Sequence, residues 1–378
     1  MVRWLILISC VWLAGCATNP HSVPVNRVSL LSAQEVFGHE VPIPEASDAA
    51  ILTLTPAIEA WIDRKTENYP SASGRLRRLL EGMIEDGLLN LVYEDNSTLT
   101  AREVFESKQG NCLAFSNLFV AMARYADLNA SFQMVDIPPS FTSEGDLVLL
   151  NNHINVVVQG VRISPNFVKE HVVDFNSSNF NGNYPARKVT DQYAYALYFS
   201  NRGVEALRDS DYEAAWGFFR AAIRTDGRNA DHWVNLGYLL AVMKRDDLSI
   251  QAYQQALNLQ ANNKSALVNL VWLHKRRGDE AAMRFYQAQV DYYLNHNPYY
   301  LLELAQQAYQ RGDNDAAMAA LNRAISLKND EHQLYFMRAL VWLREGDMAA
   351  VRQDLDMARS YALNEQQVKR YNTKLAAL

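Results

Sequence analysis

Three residues in the first half of the chain have the side chains that nucleophilic catalysis needs. Cys112, His153 and Asp174 supply a thiol, an imidazole and a carboxylate, in that order. A thiol attacks as its thiolate, and a helix N-terminus or a neighbouring imidazole favours that form. The sequence provides for both. Gly110-Asn111-Cys112 precedes a stretch in which Phe115, Leu118, Phe119, Met122 and Ala126 recur at helical spacing, so Cys112 stands at the start of an amphipathic helix. His153 opens a strand-like run, His-Ile-Asn-Val-Val-Val, and Asp174 lies near the end of another, Val-Val-Asp-Phe. Adjacent antiparallel strands would let the carboxylate fix the imidazole tautomer. The Cys112 backbone N–H is the default oxyanion donor. The side-chain amide of Gln109 or Asn111 either adds to it or caps the loop.

The elements that would position these groups follow from the pattern around them. Leu76, Leu79, Leu80, Met83 and Ile84 mark one helix, and Ala101, Val104 and Phe105 mark another that starts near Thr98 or Thr100. Short β-branched or aromatic runs come next: 131–137, 147–150, 153–158 and 172–175. Residues 51–190 therefore read as an α+β domain, helices first and then an antiparallel sheet.

The second half is periodic. Phe199, Trp233, Leu267, Leu301 and Tyr335 are large and apolar at a step of 34 residues. Gly203, Gly237, Val271, Ala305 and Ala339 are small or modest at the same step, as are Ala222, Ala256, Val290, Ala324 and Ala358. Ser210, Lys244, Gly278, Gly312 and Gly346 mark the turns. This resembles the tetratricopeptide (TPR) period, and it implies five helical pairs over 196–365, with 366–378 as a capping helix. Arg202 and Arg338 depart from the pattern, standing where Leu236, Leu270 and Leu304 sit in the middle repeats. A period that needs nothing from the first half predicts that 196–378 folds alone.

The N-terminus reads as a targeting segment. Arg3 precedes Trp4 to Leu13, apolar except for Ser9 and too short to span a bilayer. Leu13-Ala14-Gly15-Cys16 resembles the lipobox of bacterial lipoproteins. The resemblance implies that residues 1–15 are a signal peptide and that Cys16 carries more than one acyl chain, a stable membrane anchor. Ala17, where an Asp would favour inner-membrane retention, points to the outer membrane, facing the periplasm. Residues 16–50, with Pro20, Pro24, Pro42 and Pro44, read as an extended tether. Of the three cysteines, the mature chain would keep one free thiol, Cys112, and no disulfide.

The stretch from Tyr93 to Tyr125, followed by His153 and Asp174, resembles the transglutaminase-like superfamily, relatives of the papain-like cysteine proteases. Gly110-Asn111-Cys112 matches the family's Gly-x-Cys, and Thr98-Leu-Thr-Ala-Arg-Glu-Val-Phe and Ala114 also fit. The likeness covers roughly residues 75–180. It implies that Cys112 attacks an amide carbonyl, His153 moves the proton and Asp174 orients His153. Release to water (peptidase or amidase) and release to an amine (acyl transfer) stay open. The chain departs from the family at Leu113, Asn155 and Phe175, where relatives often have an aromatic residue, Trp and Pro. Those departures support an alternative, a catalytically inactive scaffold for protein–protein interaction in envelope assembly.

A net charge of -6 gives no reason to expect nucleic-acid binding. There is no HExxH, CxxC, phosphate loop or EF-hand pattern, so no metal or cofactor is expected. The repeats imply a protein or peptide partner held in their groove.

Overall fold

The computed structural model describes residues 19–41, 48–88, 92–93, 97–135, 141–144, 147–150, 153–164, 167–175, 186–362 and 365–377. The signal segment and Cys16 lie outside the described residues. Two short helices come first, α1 (Arg27–Leu30) and α2 (Ala33–Phe37), capped by Asn26 and Ser32. Helices α3 (Asp48–Ile51), α4 (Pro56–Thr66) and α5 (Ala72–Glu85) follow. The two-residue strand β1 (Val92–Tyr93) precedes α6 (Ala101–Ser107), and β2 (Gln109–Gly110) pairs with β1 in parallel. Thr100 and Glu103 form a reciprocal capping box on α6, which sets the helix start.

Helix α7 (Cys112–Tyr125) is the axis of the first core. The sequence suggested an amphipathic helix, but every residue from Leu113 to Ala123 is buried. The reason is packing on both sides: α4 and α6 lie against it, and so do the sheet strands β3 (Asn129–Val135) and β6 (His153–Ser164). Strands β4 (Phe141–Glu144) and β5 (Leu147–Leu150) form a separate antiparallel pair. With β7 (Phe167–Val173) and β8 (Ala186–Lys188), the main sheet runs β7-β6-β3-β8, antiparallel throughout. Ala130, Phe132, Met134, Ile154, Val156 and Val158 pack into the same core as α7.

Ten helices then alternate in pairs: α8 (Asp191–Arg208) and α9 (Tyr212–Thr225), α10 (Ala230–Val242) and α11 (Asp246–Leu259), α12 (Lys264–Arg277) and α13 (Glu280–Asn295), α14 (Pro298–Gln310) and α15 (Asn314–Leu327), α16 (His332–Glu345) and α17 (Met348–Ser360). The period is visible in the backbone. Ser210, Lys244, Gly278, Gly312 and Gly346 all have positive φ, between 59° and 81°. In four of the five repeats the next residue is an Asp (Asp211, Asp279, Asp313 and Asp347) whose carboxylate caps the second helix. The small position is sterically required in the first two pairs. A Cβ on Gly203 would lie 2.4 Å from the Phe219 ring, and one on Gly237 would lie 2.7 Å from Tyr253. Helix α18 (Glu365–Ala376) covers α17, and its buried Tyr371 hydroxyl lies 2.7 Å from His332 Nδ1.

Two sequence readings change here. Residues 19–41 are not a free tether: Leu30, Ala33, Val36 and Val41 are buried in one core with Trp216, Trp233, Tyr253 and Tyr286 of the repeats. Polar bonds accompany this packing, from Trp216 Nε1 to Leu30 O (3.3 Å), Arg245 Nη2 to Val36 O (2.9 Å) and Asn26 N to Gln251 Oε1 (2.9 Å). The prolines at 20 and 24 bar helix early in this strap, but they do not bar docking, which depends on its apolar residues. The array also has no clean edge at 196. Helix α8 begins at Asp191 under a Thr190 cap, and Ala194, Leu197, Tyr198 and Phe199 belong to the α7 core.

Candidate active site

Cys112 is the first residue of α7, half-buried and a free thiol. Its position is set by the two residues before it. Asn111, 6% exposed, accepts the Ala114 N–H on its Oδ1 (3.0 Å) and donates from Nδ2 to Thr98 Oγ1 (2.6 Å). The amide oxygen therefore caps the helix while one amide N–H is held by Thr98. The N–H groups of Cys112 and Leu113 belong to the first turn, where helix geometry supplies no acceptor. Gly110 has φ +149°, and a Cβ there would lie 2.8 Å from the Ala114 Cβ, so the close approach demands glycine.

Thr98 is the hub behind this helix start, and it is fully buried. Its N–H donates to Glu205 Oε1 of α8 (2.8 Å), and its carbonyl accepts from Arg202 Nη1 (3.5 Å). Burial pushes the Glu205 carboxyl up from its ordinary range, against the Thr98 hydrogen bond and the nearby Arg202 and Arg208. Arg202 broke the repeat pattern in the sequence, and here it reaches back to Thr98 while its guanidinium also lies over the Phe218 ring of α9 (5.4 Å). Arg338, the other departure, makes a two-pronged pair with the buried Asp354 (2.8 Å each).

The other two candidates lie on the sheet. His153 opens β6, and its backbone pairs with Val135 of β3. Its ring lies outside what the structure describes. Asp174 directly follows β7, whose Val173 pairs with Val156. Asn155, two positions after His153 and 3% exposed, donates from Nδ2 to Asp174 Oδ2 (3.2 Å). Phe175 packs on Phe115 and Phe119, at ring-centroid distances of 5.9 and 5.8 Å. Phe115 is three residues from Cys112, so this contact ties the strand end carrying Asp174 to the first turn of α7. Two departures from the family pattern thus have structural roles: Asn155 holds the acid and Phe175 seats its strand.

Sequence reasoning named Thr98 and Arg202 without their connection and missed Glu205. The signal available was the Arg202 mismatch, but its partner lies 104 residues away in sequence. Among the described residues there is no cluster of three or more His, Cys, Asp or Glu able to hold a metal, and no helix is long and apolar enough to cross a membrane.

Residues 59–235 match the model of the transglutaminase-like superfamily, and this stretch, which contains Cys112, His153 and Asp174, is a transglutaminase-like domain. The match runs through α8 and α9 into α10. No curated protein matches the chain. Solved structures with similar helices include MamA (residues 41 to the end) from Desulfovibrio magneticus RS-1, 13% identical, covering 44% of this chain and 94% of that one at a TM-score of 0.26. Another is YrrB, described as a TPR protein with an unusual peptide-binding site, 12% identical, covering 47% and 92% at a TM-score of 0.25. The repeat assignment here rests on the 34-residue recurrence of turns, caps and helix pairs.

Proposed function

We propose that this transglutaminase-like domain is a Cys–His–Asp acyl-transfer site acting on amide bonds of a protein or peptide, on an envelope lipoprotein anchored through Cys16. The observation that carries the reading is the first turn of α7. A half-buried free thiol sits at a capped helix N-terminus, and the strand end bearing Asp174 is packed onto the same turn. The first-turn N–H groups of Cys112 and Leu113 can donate to the negative oxygen of a tetrahedral intermediate. His153 would take the thiol proton and return it to the leaving amine, while Asp174 holds the ring. Water as second nucleophile gives a peptidase or amidase, and this is the preferred outcome; an amine gives cross-linking. The repeats would supply the surface that recruits the substrate or a partner.

Iodoacetamide labelling of Cys112 at neutral pH tests the site. The wild type should label severalfold faster than free cysteine, and His153→Ala should lose that advantage. If both proteins label at the rate of free cysteine, the catalytic reading falls and the scaffold reading stands.

A further inference from the structure

The strap defines how the molecule would sit on a membrane. Its first described residue, Asn19, donates from Nδ2 to the Tyr286 hydroxyl of α13 (3.2 Å), and that hydroxyl donates to His21 O (3.4 Å). The His21 ring packs on Phe285 at 5.2 Å between centroids. Val23 and Val25 pack on the same core as the repeats, and Leu30 and Val36 are fully buried. The chain is therefore pinned from Asn19 onward. Only Ala17 and Thr18 separate Asn19 from Cys16. Three Cα steps reach at most about 11 Å.

We propose that acylated Cys16 holds the third repeat, at the α12–α13 turn and along α13, against a phospholipid surface. This rests on the lipoprotein reading of Cys16. A lipoprotein with a long disordered tether can take any orientation, whereas a two-residue leash cannot. The exposed charges near the leash are balanced: Arg276 pairs with Asp246, Arg277 with Asp247 and Arg284 with Glu280. Contact is thus imposed by the leash and not by attraction to anionic lipid. Tyr292, 67% exposed on α13, has the amphipathic ring that suits a bilayer interface.

The test uses the mature chain from Cys16 with Cys112→Ser, leaving Cys16 as its one thiol. That thiol is coupled to maleimide phosphatidylethanolamine in phosphatidylcholine vesicles. A fluorophore is placed at Arg284 or at Lys369 of α18 through an introduced azidophenylalanine, and quenching is read from a nitroxide-headgroup lipid. The expected result is severalfold stronger quenching at position 284, unchanged by high salt and lost when a flexible Gly/Ser stretch is inserted after Thr18. Equal quenching at both positions, or none at 284, overturns the proposal. Acylation in cells is read separately, by labelled fatty acid on Cys16. Its absence sinks the lipoprotein reading without altering the outcome of the vesicle measurement.

Discussion

Thr98 has no chemistry of its own to offer, yet every group it carries is committed to the start of α7 or to α8. Its hydroxyl holds the amide of Asn111, its N–H meets Glu205 and its carbonyl meets Arg202. The Asn111 side chain links this hub to the Cys112 turn, beside the backbone bond from Asn111 N to Ser97 O (3.0 Å). Asn111→Ala removes a cap and leaves the Ala114 N–H and Thr98 hydroxyl without their partner. It should destabilise the domain by about 1–2 kcal/mol, read as a lower urea midpoint. It should also slow Cys112 alkylation at neutral pH. Asn111→Asp keeps the acceptor for Ala114 and should recover most of the helix stability.

At the scale of elements, two segments belong to more than one part of the fold. Helix α8 is the first helix of the array and also a wall of the α7 core, where Ala194, Leu197, Tyr198 and Phe199 lie. Cutting at 196 would remove its Thr190 cap and expose that apolar face. The strap likewise covers Trp216 and Trp233. A fragment of 196–378, expected from the period alone to fold, should instead be helical but unstable and should bind hydrophobic dye. In the full chain, Leu30→Ala should cost about 2–4 kcal/mol by leaving a cavity beside Trp216. Tryptophan fluorescence shifted to the red, with a lowered denaturant midpoint, would register the loosened strap.

For the whole molecule, acid is the lever the buried histidines provide. His232 of α10 is fully enclosed, neither ring nitrogen has a hydrogen-bond partner among the described residues, and burial drives its pKa down to about 4 from the ordinary 6.5. The unfolded chain therefore binds a proton below about pH 6.5 that the folded chain refuses until about pH 4. Stability is full above that window and should fall by up to about 3 kcal/mol as pH drops through it. His274 and His332 are shifted the same way by burial and add to the slope. Urea midpoints measured from pH 7 to pH 4 should fall steadily, and His232→Gln should flatten the curve. A midpoint independent of pH over this range would contradict the burial argument.

By itself the sequence determined what is periodic and local. The 34-residue step placed the turn inside each helical pair of the array, because helix crossing and positive-φ turns impose small residues and glycine at fixed intervals. The Gly-x-Cys at a helix start and the runs around His153 and Asp174 were legible for the same reason: helix and strand signals act over a few residues. Tertiary structure alone decided which residues far apart in the chain serve one another. Arg202 reads as a broken repeat until Thr98 is beside it, Phe175 reads as a lost proline until it meets Phe115, and residues 19–41 read as a leash until their few apolar side chains find the repeat core. Burial and hydrogen bonding across long sequence separations follow from where the chain folds back, and no local pattern records that.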